Sequence, residues 1–62
     1  MSVGERVRKV RLRRKMAQKI LAEKTGIHQS ELSRIEHALR DPTVPQLRTL
    51  AAVLGVSPRS LL

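Results

Sequence analysis

The sequence predicts an all-α domain of four to five short helices, and three observations carry that prediction. Apolar residues recur three and four apart in separate short segments, the period of one helix face rather than of a strand. Gly26, Gly55 and the Pro42, Pro45 and Pro58 positions punctuate those segments where helices stop and start. The third is the stretch from Gln18 to Glu36, where two helical patterns meet at Gly26.

The first helix is expected from Gly4 or Glu5 to about Lys15, with Val7 and Val10 inward and Leu12 grazing the core. Glu5 in its first turn and Arg13, Arg14 and Lys15 in its last suit the helix dipole. The second helix covers Gln18 to Lys24, has no breaker, and places Leu21 and Ala22 on one side with Met16 just ahead. Gly26 supplies a left-handed exit, and Ile27 plugs the turn. The third helix runs from about Gln29 to His37, anchored by Leu32 and Ile35 while Gln29, Ser30, Ser33 and Arg34 carry hydrogen-bonding groups on other faces. The two helices and their turn read as a helix-turn-helix.

Thr43 as N-cap, Pro45 in the first turn and Gln46 at the capping-box position open a fourth helix. Val44, Leu47, Leu50, Ala51 and Leu54 form its core stripe and Gly55 ends it. Val56 packs back, Ser57 and Pro58 restart a helix, and Leu61 completes the core.

Composition narrows the function. A chain of 62 residues holds at most one small domain, here residues 1–62. Without cysteine there is no disulfide or thiolate metal site, and two histidines alone do not build a zinc site, so neither metal nor cofactor is expected. The absence of aromatic residues removes base-stacking platforms for single strands. Five acids with no clustered base or nucleophile offer little to an enzyme. The apolar residues recur in capped segments suited to packing on one another, which argues against a cationic membrane peptide. No apolar run approaches a membrane span or a signal-peptide core, so a cytoplasmic protein is expected.

The formal charge is +8, and nine of the thirteen basic residues fall in the first 24 positions. A one-signed field at one end favours an acidic polymer such as duplex DNA, through phosphate neutralisation and counterion release. For the run from Arg6 to Lys15, a solvated basic face and phosphate contact both stand, and Arg11 belongs to that run.

The run Ala17 to Glu36, followed by Pro42, resembles the Cro and phage-repressor (XRE) helix-turn-helix family, through Gln18, Leu21-Ala22, Gly26, Ser33, Ile35-Glu36 and Pro42 in one register. A docked recognition helix would bring Gln29, Ser30, Ser33 and Arg34 to the base edges of the major groove; the resemblance implies a DNA-binding domain whose principal reading positions are Gln29, Ser30 and Arg34, with Ser33 matching a small position nearer the backbone or the second helix. Gln can pair bidentately with adenine and Arg with guanine. Glu31 would face a cytosine amino group or stand clear of the groove. It implies that Arg11 approaches Glu36 and clamps the first helix to the third. Gln18 and Lys19 at the second helix's start, His28 and Arg40 are candidate phosphate ligands, each with plain solvent exposure as the alternative. Gln18 also stands beside Gln29 across the turn.

Two departures from the family pattern, and one unusual loop residue, matter. Ala17 lacks the capping oxygen usual there, an omission worth about 1 kcal/mol. Ala38 stands where Gly usually turns out of the third helix, so the turn is strained by roughly 1 kcal/mol or takes another conformation. Leu39 is an apolar residue in a loop that either covers the core or faces a partner. The family continues beyond this chain's last residue, which leaves open a minimal protein or the N-terminal piece of a longer regulator. The expected function is sequence-specific duplex DNA binding by a transcriptional regulator, a repressor acting as a homodimer on a palindromic operator. The alternative is an antitoxin that also binds a toxin protein, with Ile20, Leu39 and Leu62 as surplus apolar residues.

Overall fold

The computed structural model describes residues 1–62. Four α-helices follow in order, α1 (Val3–Arg13), α2 (Gln18–Thr25), α3 (Gln29–Glu36) and α4 (Val44–Leu54), and a 3-10 turn, Pro58–Leu61, closes the chain. The helices wrap a core built from Val7, Val10, Leu21, Ala22, Ile27, Leu32, Leu50, Ala51, Leu54 and Leu61, with Met16, Leu47 and Val56 packed at its edge. This is the four-to-five-helix arrangement expected, with the helix-turn-helix at α2 and α3.

α1 begins one or two residues earlier, and ends two residues earlier, than the apolar pattern suggests. Ser2 is its N-cap: the Ser2 hydroxyl accepts from the Glu5 N–H at 3.1 Å, and the Glu5 carboxylate accepts from the Ser2 N–H at 2.8 Å. At the other end Lys15 turns left-handed at φ 55°, and the amides of Lys15 and Met16 donate to the carbonyls of Leu12 and Arg11. Those two bonds satisfy carbonyls the helix end would orphan.

The same exit recurs after α3 and α4. The amides of Ala38 and Leu39 donate to Ile35 and Arg34, and those of Gly55 and Val56 to Ala52 and Ala51. Gly55, at φ 74°, adopts this geometry freely, whereas Ala38 adopts it at φ 60° with its Cβ crowding the backbone. Ala38 therefore takes the strained turn rather than an alternative. Gly26, at φ 75°, ends α2, and the Thr25 hydroxyl ties the corner by donating to the Leu21 carbonyl at 2.8 Å and accepting from the Ile27 amide at 3.3 Å.

α4 carries the expected capping box between Thr43 and Gln46. Its stripe is shorter than expected: Leu50, Ala51 and Leu54 are buried and Leu47 is half-buried, but Val44 is 61% exposed. Val44 opens α4 a turn before the stripe meets its neighbours. Leu12 is also exposed, because it stands on the outer side of α1 from Val7 and Val10. Leu39 is 77% exposed, so it does not cover the core.

Two features bring α1 against α3. Gly4 is buried so closely on Ile35 that an added Cβ would lie 1.7 Å from the Ile35 carbonyl oxygen. Nothing in the apolar periodicity marks this glycine. One helical face further on, Arg11 and Glu36 are both buried: Nε donates to Oε2 at 2.8 Å and Nη2 to Oε1 at 3.0 Å. The remaining nitrogen, Nη1, donates to the Met16 carbonyl at 2.8 Å. Every arm of the guanidinium is thus bound within the protein, and the Glu36 side chain has no solvent exposure. The expectation that Arg11 contacts phosphate is corrected here, because its charge is turned inward and already neutralised.

Three outcomes follow for stability. Gly4→Ala is expected to cost about 3 kcal/mol by driving a carbon into backbone, whereas Gly26→Ala, in open space, costs only the left-handed penalty of about 1 kcal/mol; denaturant titration of both variants separates them. Glu36→Ala, which strands the buried guanidinium, is expected to lose about 3–5 kcal/mol, and the double replacement Arg11→Met with Glu36→Leu much less. The Ser2 N–H, and then the Ser2 side chain, hold the Glu5 carboxyl below its ordinary value of 4.5. A depressed carboxyl stabilises the fold above its unfolded pKa and loses that contribution as pH falls through the folded one. Ser2→Ala should therefore flatten part of the stability loss seen on acidification below about 4.5.

Candidate nucleic-acid interface

α3 is amphipathic on a single turn-by-turn pattern. At 3.6 residues per turn, Leu32, Ile35 and Glu36 face inward and are buried, which leaves Ser30 and Arg34 on the opposite, exposed side. Gln29 and Ser33 flank that side toward α2, with Gln29 exposed and Ser33 half-buried. Glu31 flanks it on the other edge, toward the loop that leads to α4. The exposed face therefore carries one carboxamide with a paired donor and acceptor at Gln29, a hydroxyl at Ser30 and a guanidinium at Arg34, with no apolar side chain among them.

The N-terminus of α3 is capped by His28. Its Nδ1 accepts from the Ser30 amide at 3.4 Å and lies 2.9 Å from the Ser30 hydroxyl. That role requires Nδ1 to be unprotonated, so the proton of the neutral ring sits on Nε2 and points away from the helix. His28 is exposed, so the ring is both a cap and an outward donor.

A line of hydrogen bonds joins the buried ion pair to this face. Gln18 Nε2 donates to Glu36 Oε1 at 3.2 Å, and Gln18 Oε1 accepts from Gln29 Nε2 at 3.3 Å. Glu36 can only accept, so it fixes which end of the Gln18 amide faces inward; Gln18 in turn presents its oxygen to Gln29. The first residue of α2 and the first residue of α3 are thereby held in register by a carboxylate whose own position is set by Arg11. Ala17 offers no side-chain cap, so the first amides of α2 lie free beside Gln18 and the exposed Lys19. Helix N-termini with free amides and a neighbouring cation favour anionic oxygens.

Arg40 is not a free cation. Its Nη1 is bonded to Glu31 Oε1 and its Nη2 donates to Gln46 Oε1 at 3.3 Å, which ties the loop after α3 to the capping box of α4. The family resemblance implies phosphate contact or plain solvent exposure for Arg40 and leaves Glu31 open; their pairing across nine residues is a product of the α3–α4 turn. By contrast, Arg6, Arg8, Lys9, Arg13, Arg14, Lys15, Lys19, Lys24 and Arg34 make no ion pair, which leaves a strong uncompensated positive field over α1, α2 and α3. No helix is long and apolar enough to cross a membrane.

Known proteins share this arrangement. The family model described as helix-turn-helix matches residues 7–61. The immunity repressor protein of Bacillus phage phi105 is 38% identical over 56 residues, which cover 90% of this chain and 39% of the repressor, so the chain spans well under half of that relative's length. The control protein C.BamHI of Bacillus amyloliquefaciens is 33% identical over 60 residues, covering 95% of this chain and 74% of its own. Among solved structures, SinR, a master regulator for biofilm formation captured in complex with DNA, superposes with a TM-score of 0.89 at 37% identity, covering 95% of each chain. With its fold, its α2–α3 register and 55 of its 62 residues (7 through 61) matched, the chain belongs to the helix-turn-helix family, as a DNA-binding domain of the Cro and phage-repressor type.

Proposed function

We propose that this domain regulates transcription by reading a palindromic operator in duplex DNA as two copies, and that it acts as a repressor. The observation that carries the reading is the exposed face of α3. Gln29, Ser30 and Arg34 stand there as a purely polar set, with Gln29 braced from behind through Gln18 and Glu36, and with unpaired cations on the neighbouring helices. A helix of this kind enters the major groove with its N-terminal end and one lateral face toward base edges. Gln29 then meets adenine and Arg34 meets guanine by paired hydrogen bonds, with Ser30 serving either donor or acceptor. Ser33, half-buried beside α2, contributes at the margin of that face. The free amides of α2 together with Gln18, Lys19 and His28 contact the flanking phosphates and fix the docking angle.

Two copies account for affinity, since one short helix makes few base contacts, and a two-fold pair places its reading helices about one helical turn apart. Occupying an operator blocks polymerase without further machinery, which favours repression. Two of the relatives, an immunity repressor and a control protein, agree with this reading by their roles. It places the working protein in the cytoplasm with the DNA it reads.

Selection of bound duplexes from a random pool, with stoichiometry by sedimentation, tests the proposal: an enriched palindrome holding two chains supports it, and salt-sensitive binding with no enrichment refutes the reading roles. Against the selected operator, Arg34→Ala and Gln29→Ala are each expected to lose about 1–3 kcal/mol and to relax preference at one base pair. Gln18→Ala should weaken operator and random DNA more evenly. Equal losses on both DNAs for Arg34→Ala would remove it from the reading set.

A further inference from the structure

We propose that Glu31 is a specificity-determining residue that works by withholding Arg40 from DNA phosphate, an inference that rests on the DNA-binding reading above. Only two of the cations in this chain are held by carboxylates: Arg11 by Glu36, and Arg40 by Glu31. The first pair is buried and permanent. The second has side chains 35% and 33% exposed, so water and ions reach both partners. A pair in that setting is worth at most about 1 kcal/mol and can be exchanged.

Its location gives the exchange a consequence. Glu31 lies in the first turn of α3, one residue after Ser30 and one turn before Arg34, on the edge of the face that reads bases. Arg40 comes from the loop beyond α3, on the flank away from Gln18. When a phosphate takes Arg40, the Glu31 carboxylate is left without its counter-charge beside a polyanion. Glu31 therefore opposes phosphate contact twice, as a competitor for the guanidinium and as a repelling charge once the guanidinium has gone. On an arbitrary sequence nothing offsets that cost. Where the groove presents a donor, such as the 4-amino group of cytosine, the carboxylate accepts from it and the exchange proceeds. The same residue thus suppresses the sequence-independent part of binding and allows it at a site of the right composition. Gln46 keeps Arg40 near the loop in either state, since its carbonyl oxygen also accepts from the Thr43 amide at 3.0 Å and stays in place.

The test measures binding of a fluorescent random-sequence duplex across a salt series, for the wild-type chain, Glu31→Gln, Arg40→Ala and the double variant, each checked for helicity. Glu31→Gln is expected to bind random duplex about three- to five-fold more tightly at low salt, with the log–log salt slope steeper by about 0.9 as one more phosphate is neutralised. In the Arg40→Ala background the same substitution should leave the salt slope unchanged, because no guanidinium is there to release, and should give only the part of the affinity gain that comes from removing a repelling carboxylate; Glu23→Gln, at an exposed acid on α2 outside any ion pair, is the reference for a lone charge removal. An unchanged slope in Glu31→Gln, or a full gain that survives without Arg40, overturns the exchange while the DNA-binding reading stands. Failure of the wild-type chain to bind duplex at any salt overturns that reading itself. Should Glu31→Gln not fold, Glu31→Ser removes the same charge and is measured in its place.

Discussion

A guanidinium and a carboxylate taken out of water hold this domain in its working shape. Arg11 and Glu36 bind each other through two parallel hydrogen bonds, and the third arm of Arg11 is bound to the Met16 carbonyl. Such a pair contributes little net stability over an apolar replacement, because desolvation offsets most of the attraction. What it fixes is orientation. The carbonyl of Met16 belongs to the link between α1 and α2, and Glu36 is the last residue of α3, so one side chain of α1 sets the relative placement of all three helices. Gly4 makes this geometry attainable by letting the α1 backbone come up against the carbonyl of Ile35.

The pair also reaches the surface. Glu36 accepts from Gln18, and Gln18 accepts from Gln29, so the first exposed residue of α3 is oriented by a charge buried behind it. A flexible amide on a helix surface would otherwise lose rotamer freedom on docking, and bracing it in advance lowers that cost. The two flanks of α3 are thus built differently. The α2 side is rigid and ends in a buried ion pair, whereas the loop side ends in a half-exposed one between Glu31 and Arg40 that solvent ions can compete for.

The uneven charge complements this division. Cations left unpaired on α1 and α2 draw the domain to any duplex, a field effect that carries no sequence information. On the proposed reading, discrimination comes from the polar groups on the exposed face of α3, of which Gln29 is held from behind by Gln18 and Arg34 stands free. The uncapped start of α2 fits the same logic: the oxygen missing at Ala17 leaves amides open to an outside acceptor.

Much of the architecture is legible in the chain because it depends on local rules. The helix-turn-helix register follows from the spacing of Leu21, Ala22, Gly26, Leu32 and Ile35, and the start of α4 from Thr43, Pro45 and Gln46. Local rules also misplace residues where exposure depends on neighbours: Val44 fits the α4 stripe by period, yet it stands outside the core because no other helix reaches it. Ser2 and Glu5 form a capping box at the start of α1 that follows a local spacing rule, three residues apart, and that apolar periodicity does not mark. The set of polar residues on α3 is determined by sequence alone, since helical period assigns their faces. Tertiary structure decided which of the charged residues are free. Arg11 and Arg40 look like any other member of a basic chain until folding brings Glu36 and Glu31, 25 and nine residues away, to their guanidinium groups. Opposite charges distant in sequence meet only where backbone turns and close helix approach carry them, and no local periodicity encodes that distance.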